Sequence, residues 1–296
     1  MMVSIYRKGG SPQRLAEAYD RTVGLMRIPV ETRYAATSYG RTHYLAAGPE
    51  GAPALVLFHG FCFSSSGWVE NIRELSSAYR VYAVDLPGDI NKSEPERLIR
   101  SKKDCAEWFE ELLQVFGIRH AHIGGHSYGG FVAMIVASLR PSLVDKLVIL
   151  SPGAGVLPQS RRFFFRCVLA GFLPSERRIH ALLDDMTGEG NTINPMLRRQ
   201  VVVALQNALP QVKLLPSRMS DDELKRITAP ALLLIGDQEV QYDAERAVSR
   251  ARAVMPDVRA HVIRDAGHGL PLEKPGEVNG LILDFLGEER LMNGVG

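Results

Sequence analysis

Six short, continuously apolar runs constrain this chain more than any other feature. They are "ALVLFHG" (54–60), "RVYAVDLPG" (80–88), "HAHIGGHS" (120–127), "KLVILSPG" (146–153), "ALLLIGD" (231–237) and "RAHVIRDAGH" (259–268), most of them ending in glycine or another turn residue. Apolar character without polar alternation marks strands buried on both faces, as in a parallel sheet. Helical patterns lie between them at Gly67–Ser77, Lys102–Phe116, Tyr128–Leu139, Ala244–Met255 and Pro275–Leu286. Strands alternating with helices predict an α/β fold with a doubly wound, mostly parallel sheet. Such sheets bind ligands beyond the carboxyl ends of their strands. Upstream, Ser11–Met26 reads as a helix capped by Ser11 with Pro12 in first position. "ETRYAATSYG" and "THYLAAG" then read as an antiparallel pair turning at Gly40.

The alternation fails between Ala154 and about Thr228. "RRFFFRCVLAGFL", "SERRIHALLDDMTG" and "PMLRRQVVVALQNALP" are helix-like, and the strand pattern resumes at Pro230 as if uninterrupted. The expected division is therefore a core of residues 1–153 and 229–296, with residues 154–228 forming a helical cap. Phe163, Phe164, Phe165 and Leu169 are candidates for an apolar acyl or alkyl pocket, although they serve equally well to dock the cap onto the core.

Composition narrows the partners. Of 296 residues, 46% are hydrophobic and 23% charged, which is globular rather than disordered. A net charge of +2 is too balanced for a nucleic-acid or anionic-membrane partner. The N-terminal "MMVSIYRKGGSPQRL" has no apolar signal region, and no run reaches the ~18 apolar residues of a membrane span. Cys62, Cys105 and Cys167 have no metal-binding or disulfide spacing, so no metal is expected and a cytoplasmic protein with reduced thiols is. Monomer and homodimer are both compatible with these numbers.

The chemistry-bearing motif is Gly125-His126-Ser127-Tyr128-Gly129, a G-x-S-x-G placed between a predicted strand and a predicted helix. That turn presents Ser127 as a nucleophile at the sheet edge, with a helix N-terminus behind it. Attack on a carbonyl needs two N–H donors for the developing oxyanion. The Tyr128 amide supplies one, and the Phe61 amide, in the loop "LFHGFCFSSSGW", supplies the other. His59 precedes the glycine of that loop and is expected to make a structural hydrogen bond beneath the site.

Serine also needs a general base. Of eight histidines, only His268 falls in a glycine-containing loop after the last strand. His43, His120, His122 and His261 lie on strands, His180 in the cap, and His126 inside the elbow with its side chain directed away from the site. The base needs a carboxylate on the loop after "ALLLIG", where Asp237 and Glu239 both stand. Three residues past Gly236 the chain can swing back toward His268, and Glu reaches further than Asp. Glu239 is favoured on that ground, with Asp237 as the alternative; Asp243 reads as the N-cap of the next helix.

With "HGF", "GHSYGG", "LLLIGDQE" and "DAGHGLPLEKP" in place, the chain resembles the α/β-hydrolase superfamily from about Thr32 to Leu286. The resemblance implies an eight-stranded sheet, no cofactor, and ester hydrolysis of a small molecule through an acyl-enzyme. The superfamily's acid commonly stands fourth in G-x-x-[DE], which here is Glu239. The common D-x-P-G-x-G-x-S loop departs from its pattern, reading "DLPGDINKS" (85–93). The same fold also hosts C–C bond hydrolases, lyases, perhydrolases and ligand receptors, which form the alternative class.

Overall fold

The computed structural model describes residues 3–292, in which one sheet carries helices on both faces. Helix α1 (Pro12–Val23) begins as expected, with the Ser11 side chain accepting the Arg14 N–H. Strands β1 (Glu31–Thr37) and β2 (Gly40–Ala47) form the antiparallel pair. The six apolar runs become β3 (Ala54–Phe58), β4 (Arg80–Val84), then, after a two-residue β5 (Glu94–Pro95), β6 (Ala121–His126), β7 (Val144–Leu150), β8 (Ala231–Gly236) and β9 (Val258–Ile263). The order is β1-β2-β4-β3-β6-β7-β8-β9, parallel from β4 to β9. Among the described residues the main path holds the eight expected strands, and β5 adds a ninth by pairing with β2 off that path. No apolar pattern could announce a strand of two residues.

The helices between strands are α2 (Ile72–Leu75), α3 (Lys102–Phe116), α4 (Tyr128–Leu139), α5 (Arg161–Phe172), α6 (Glu176–Asp185), α7 (Pro195–Asn207), α8 (Asp221–Lys225) and α9 (Ala244–Val254), and α10 (Leu270–Glu273) and α11 (Pro275–Met292) follow β9. The helix expected over 67–77 is instead a 3-10 turn followed by one turn of α2. Between them, the Asn71 side-chain amide bonds the Pro271 carbonyl and Asn279 Oδ1 at 2.9 and 2.8 Å, a tertiary pull that overrides the local period.

Adjacent strand residues feed opposite cores. Val56 and Phe58 of β3 pack with Trp108, Phe109 and Phe131, while Leu55 and Leu57 pack with Trp68, Ile72 and Phe285. That two-sided burial is why these strands show no polar alternation. Helix α4 is buried from Tyr128 through Ser138 and lies against β3. A Cβ at Gly129 would stand 2.1 Å from the Phe58 carbonyl oxygen, so only glycine fits there. Gly129→Ala is expected to destabilise by roughly 1–3 kcal/mol or more, read as a lower urea midpoint.

Residues 154–228 contribute no strand to the sheet. Helix α6 packs on both α5 and α7, and α7 also packs on α1. On the return leg, Leu214, Met219, Leu224 and Ile227 join the core cluster around α4. Helix α8 is tied there by the Ser138 hydroxyl, which donates to the Glu223 carbonyl at 2.8 Å.

Candidate active site

The turn from β6 into α4 places Ser127 at φ 53°, ψ −117°. This is a strained conformation for a residue with a side chain. The Ser127 amide donates to the Leu150 carbonyl at 2.9 Å, and the Gly153 amide donates back to the Ser127 carbonyl at 2.7 Å. Both ties come from β7 and the turn after it, so the neighbouring strand over-determines the strained backbone.

His268 follows β9 and is fully buried. Its Nε2 lies 2.9 Å from Ser127 Oγ, and its Nδ1 lies 2.9 Å from Glu239 Oε2. A carboxylate can only accept, so Nδ1 carries the proton and Nε2 is free to accept from the serine hydroxyl. Burial pushes the Glu239 carboxyl up, but the charge and hydrogen bond of His268 and the Gln241 amide outweigh it and leave Glu239 below the ordinary carboxylate range. The anion therefore persists where an imidazolium would form.

Asp237 stands elsewhere. It is exposed, and its Oδ1 accepts the Ala266 amide at 3.2 Å as a turn residue. The Asp243 side chain caps α9 by accepting the Arg246 N–H at 2.8 Å. Of the three acidic side chains in this loop, only Glu239 bonds to His268.

The Phe61 and Tyr128 amides have no acceptor among the described residues, and their rings meet edge to face at 5.8 Å. Beneath them His59 is buried. Its Nε2 accepts the Leu86 N–H at 2.9 Å, which assigns the proton to Nδ1, and Nδ1 donates to the Gly60 carbonyl at 2.8 Å. Burial lowers the His59 pKa, so the ring stays neutral.

Three placements differ from expectation. His126 does not simply turn away: its Nε2 donates to the His268 backbone carbonyl at 2.7 Å. Burial and the neighbouring His268 push it down to about 3, so it is a neutral prop under His268. Phe164 and Phe165 are 52% and 64% exposed, while Phe163 is buried with its ring centroid 5.8 Å from that of His268. Three consecutive helical residues are spread over about 200°, so they cannot share one face. Leu169 is half-buried on the same helix.

Gln241 was not anticipated. Its amide nitrogen lies 3.0 and 2.9 Å from Nδ1 and Nε2 of His268, and its oxygen accepts the Gln159 amide at 2.7 Å. Its backbone N–H donates to Glu239 Oε1, and its carbonyl accepts the Ser160 N–H. The acid loop is thereby joined to the start of α5. Only its position two residues past Glu239 could have drawn attention to it.

Among the described residues, no group of three His, Cys, Asp or Glu side chains is placed to hold a metal ion, and no helix is long and apolar enough to cross a membrane. The family model for the alpha/beta hydrolase family matches residues 55–281. Carboxylesterase YbfK of Bacillus subtilis (strain 168) is 35% identical over 282 residues, covering 92% of this chain and 93% of its own. The crystal structure of that carboxylesterase, CesB (YbfK), superposes with a TM-score of 0.87 at 34% identity, over 93% of this chain and 97% of that one. The crystal structure of naproxen esterase (carboxylesterase NP) from Bacillus subtilis gives the same TM-score at 35% identity, with the same coverage. Ser127 between β6 and α4, His268 after β9 and Glu239 after β8 thus meet on a chain whose length and fold match these proteins, and the chain belongs to the alpha/beta hydrolase family.

Proposed function

We propose that this protein is a serine carboxylesterase acting through an acyl-enzyme. The observation that carries the reading is the continuous relay from Ser127 Oγ through His268 to Glu239, with 2.9 Å at each step. Ser127 Oγ attacks the ester carbonyl as its proton passes to His268 Nε2. The Phe61 and Tyr128 amides receive the oxyanion, and Glu239 holds the Nδ1–H and balances the imidazolium. His268 then returns the proton to the departing alkoxide. In the second half it takes a proton from water, which attacks the acyl group and frees Ser127.

The two carboxylesterases at 34–36% identity support this choice of bond over others handled on the same fold. The three cysteines are free, as a cytoplasmic protein would keep them, and we place the enzyme there. A fluorophosphonate probe is expected to label Ser127, and sustained p-nitrophenol release from a short-chain ester is expected beyond one equivalent. Label on another residue, or a single burst without turnover, overturns the reading.

Residues 154–228 are proposed to act as the cap that sets substrate choice, with Phe163 as the aromatic wall beside His268. Phe163→Ala is expected to raise KM for a medium-chain ester roughly tenfold relative to acetate, since a buried phenyl face contributes on the order of 1.5–3 kcal/mol. Phe164→Ala and Phe165→Ala are expected to leave that ratio nearly unchanged. A series of p-nitrophenyl esters of rising acyl length checks both.

A further inference from the structure

The departing loop "DLPGDINKS" buries a carboxylate next to the oxyanion loop. Asp89 is 1% exposed. Its oxygens accept the Cys62 N–H at 3.1 and 3.0 Å, and Oδ1 also accepts the Ile90 N–H at 2.8 Å. Among the described residues its only ion-pair neighbour is His59, whose Nδ1 is 4.0 Å away and whose proton already goes to the Gly60 carbonyl. Cys62 itself holds φ 62°, a left-handed conformation that needs outside support.

The peptide bond is rigid, so its C=O and the next N–H point in opposite directions from one plane. His59 grips the Gly60 carbonyl and thereby fixes the direction of the Phe61 N–H. Asp89 grips the Cys62 N–H and thereby fixes the plane on the other side of Phe61. We infer that Asp89 is a positioning residue for the oxyanion donor: together with His59 it clamps the two peptide planes flanking Phe61 and aims the Phe61 amide at the reacting carbonyl. The inference rests on the serine-esterase reading of the same site.

The clamp is sensitive to pH. Burial pushes Asp89 up to about 7, against the opposing pull of the Ile90 and Cys62 amides. The titratable groups facing it are His59 after β3, Asp85 after β4, Cys62 of the oxyanion loop and Tyr128 of α4. Burial keeps His59 neutral and the Cys62 thiol and Tyr128 phenol protonated. Burial also pushes Asp85 up, but its hydrogen bond and charge interaction with His43 outweigh this and keep it ionised. Asp89 is thus the group in this set that changes charge near neutrality. As a carboxylate it accepts the Cys62 N–H strongly; as a neutral acid it accepts weakly, and the clamp loosens.

The test compares an aryl ester with its thionoester on the wild type and on Asp89→Asn. Both substrates use the same base, so protonation of His268 cancels in the ratio of their kcat/KM values. The sulfur accepts hydrogen bonds poorly, so the ratio reads the oxyanion donors. In the wild type the ester-to-thionoester ratio is expected to fall several-fold from pH 8 to pH 6. In Asp89→Asn it is expected to be flat with pH and about tenfold below the wild type at pH 8, less than the cost of deleting a donor outright.

Stability should move the other way. A carboxyl whose folded pKa is raised favours the fold when protonated, and that contribution is lost as pH climbs from its unfolded value to about 7. Asp89→Asn should therefore melt no lower than the wild type at pH 8, whereas a merely structural bond would cost Tm and leave the pH dependence of the ratio in place. A wild-type ratio that is flat between pH 6 and 8 overturns the inference, and this arm stands even if the variant does not fold. An Asp89→Asn ratio that tracks the wild type overturns it as well. If Ser127→Ala is inactive in the same assay, such a failure falls on Asp89 alone; if Ser127→Ala still turns over, it is the serine reading that fails.

Discussion

Replacing Ser127 with alanine is expected to lower kcat on a p-nitrophenyl ester by on the order of 10⁶, the usual cost of removing a nucleophile. The hydroxyl is the group that His268 Nε2 addresses at 2.9 Å, and among the described residues no second hydroxyl or thiol is bonded to that nitrogen. The fold should not notice. The ties that hold the elbow use the Ser127 amide and carbonyl, and both survive the substitution. Alanine adopts the φ of 53° about as poorly as serine, so the strain is neither relieved nor added. Stopped-flow turnover and a melting curve on one preparation decide the matter. Wild-type turnover with an unchanged Tm would remove Ser127 from the chemistry.

Glu239→Gln is expected to cost roughly 10³–10⁴ in kcat, by the logic of amide replacements at triad acids. The glutamine keeps the shape of the side chain, but its NH2 can donate where the carboxylate accepted. Donation to Nδ1 places the imidazole proton on Nε2, which then has no lone pair for the serine hydroxyl. Asp237→Asn should change kcat far less, because among the described residues that side chain hydrogen-bonds only the Ala266 amide. The acid is also a pH device. Its folded pKa lies below the ordinary value, so it contributes stability that is present above the unfolded carboxylate value and lost as pH falls through the folded one. Acid unfolding of Glu239→Gln should accordingly be shallower than that of the wild type. The two single mutants, assayed on one small ester, rank the carboxylates directly: a crippled Asp237→Asn beside a normal Glu239→Gln would transfer the role to Asp237.

Much of this was legible because the relevant signals are local. The strand–turn–helix around Ser127 carries its own glycine spacing, and the two-sided burial of β3 and β8 writes itself as unbroken apolar runs. Glu239 could be favoured over Asp237 from reach alone, since the backbone turns at Gly236, where the Glu239 N–H donates to the Gly236 carbonyl at 3.2 Å. What the chain did not announce are contacts between loops far apart in sequence. His126 meeting the His268 carbonyl spans 142 residues, and the Asn71 amide meeting Pro271 spans 200. Neither has a residue-type signature, because any donor of the right length would do. The "FFF" run left pocket and docking roles open for a simpler reason: composition counts aromatics, whereas a helix sorts them by angle, and of the three only Phe163 is buried beside His268.

The crowding at the elbow also bears on how such a chain can diverge. A side chain at Gly125 would meet the Gly129 backbone at 2.2 Å, and one at Gly129 would meet the Phe58 carbonyl at 2.1 Å. Inheritance at these positions is close to all-or-none, since any substitution pries α4 away from the sheet before it can alter the reaction. The outer face of α5, with Phe164, Phe165 and Phe172 more than half exposed, carries no such restriction. Random change is therefore filtered unevenly across the molecule: the turn that carries Ser127 is held still by its own packing, and the outer face of α5 is left free to drift.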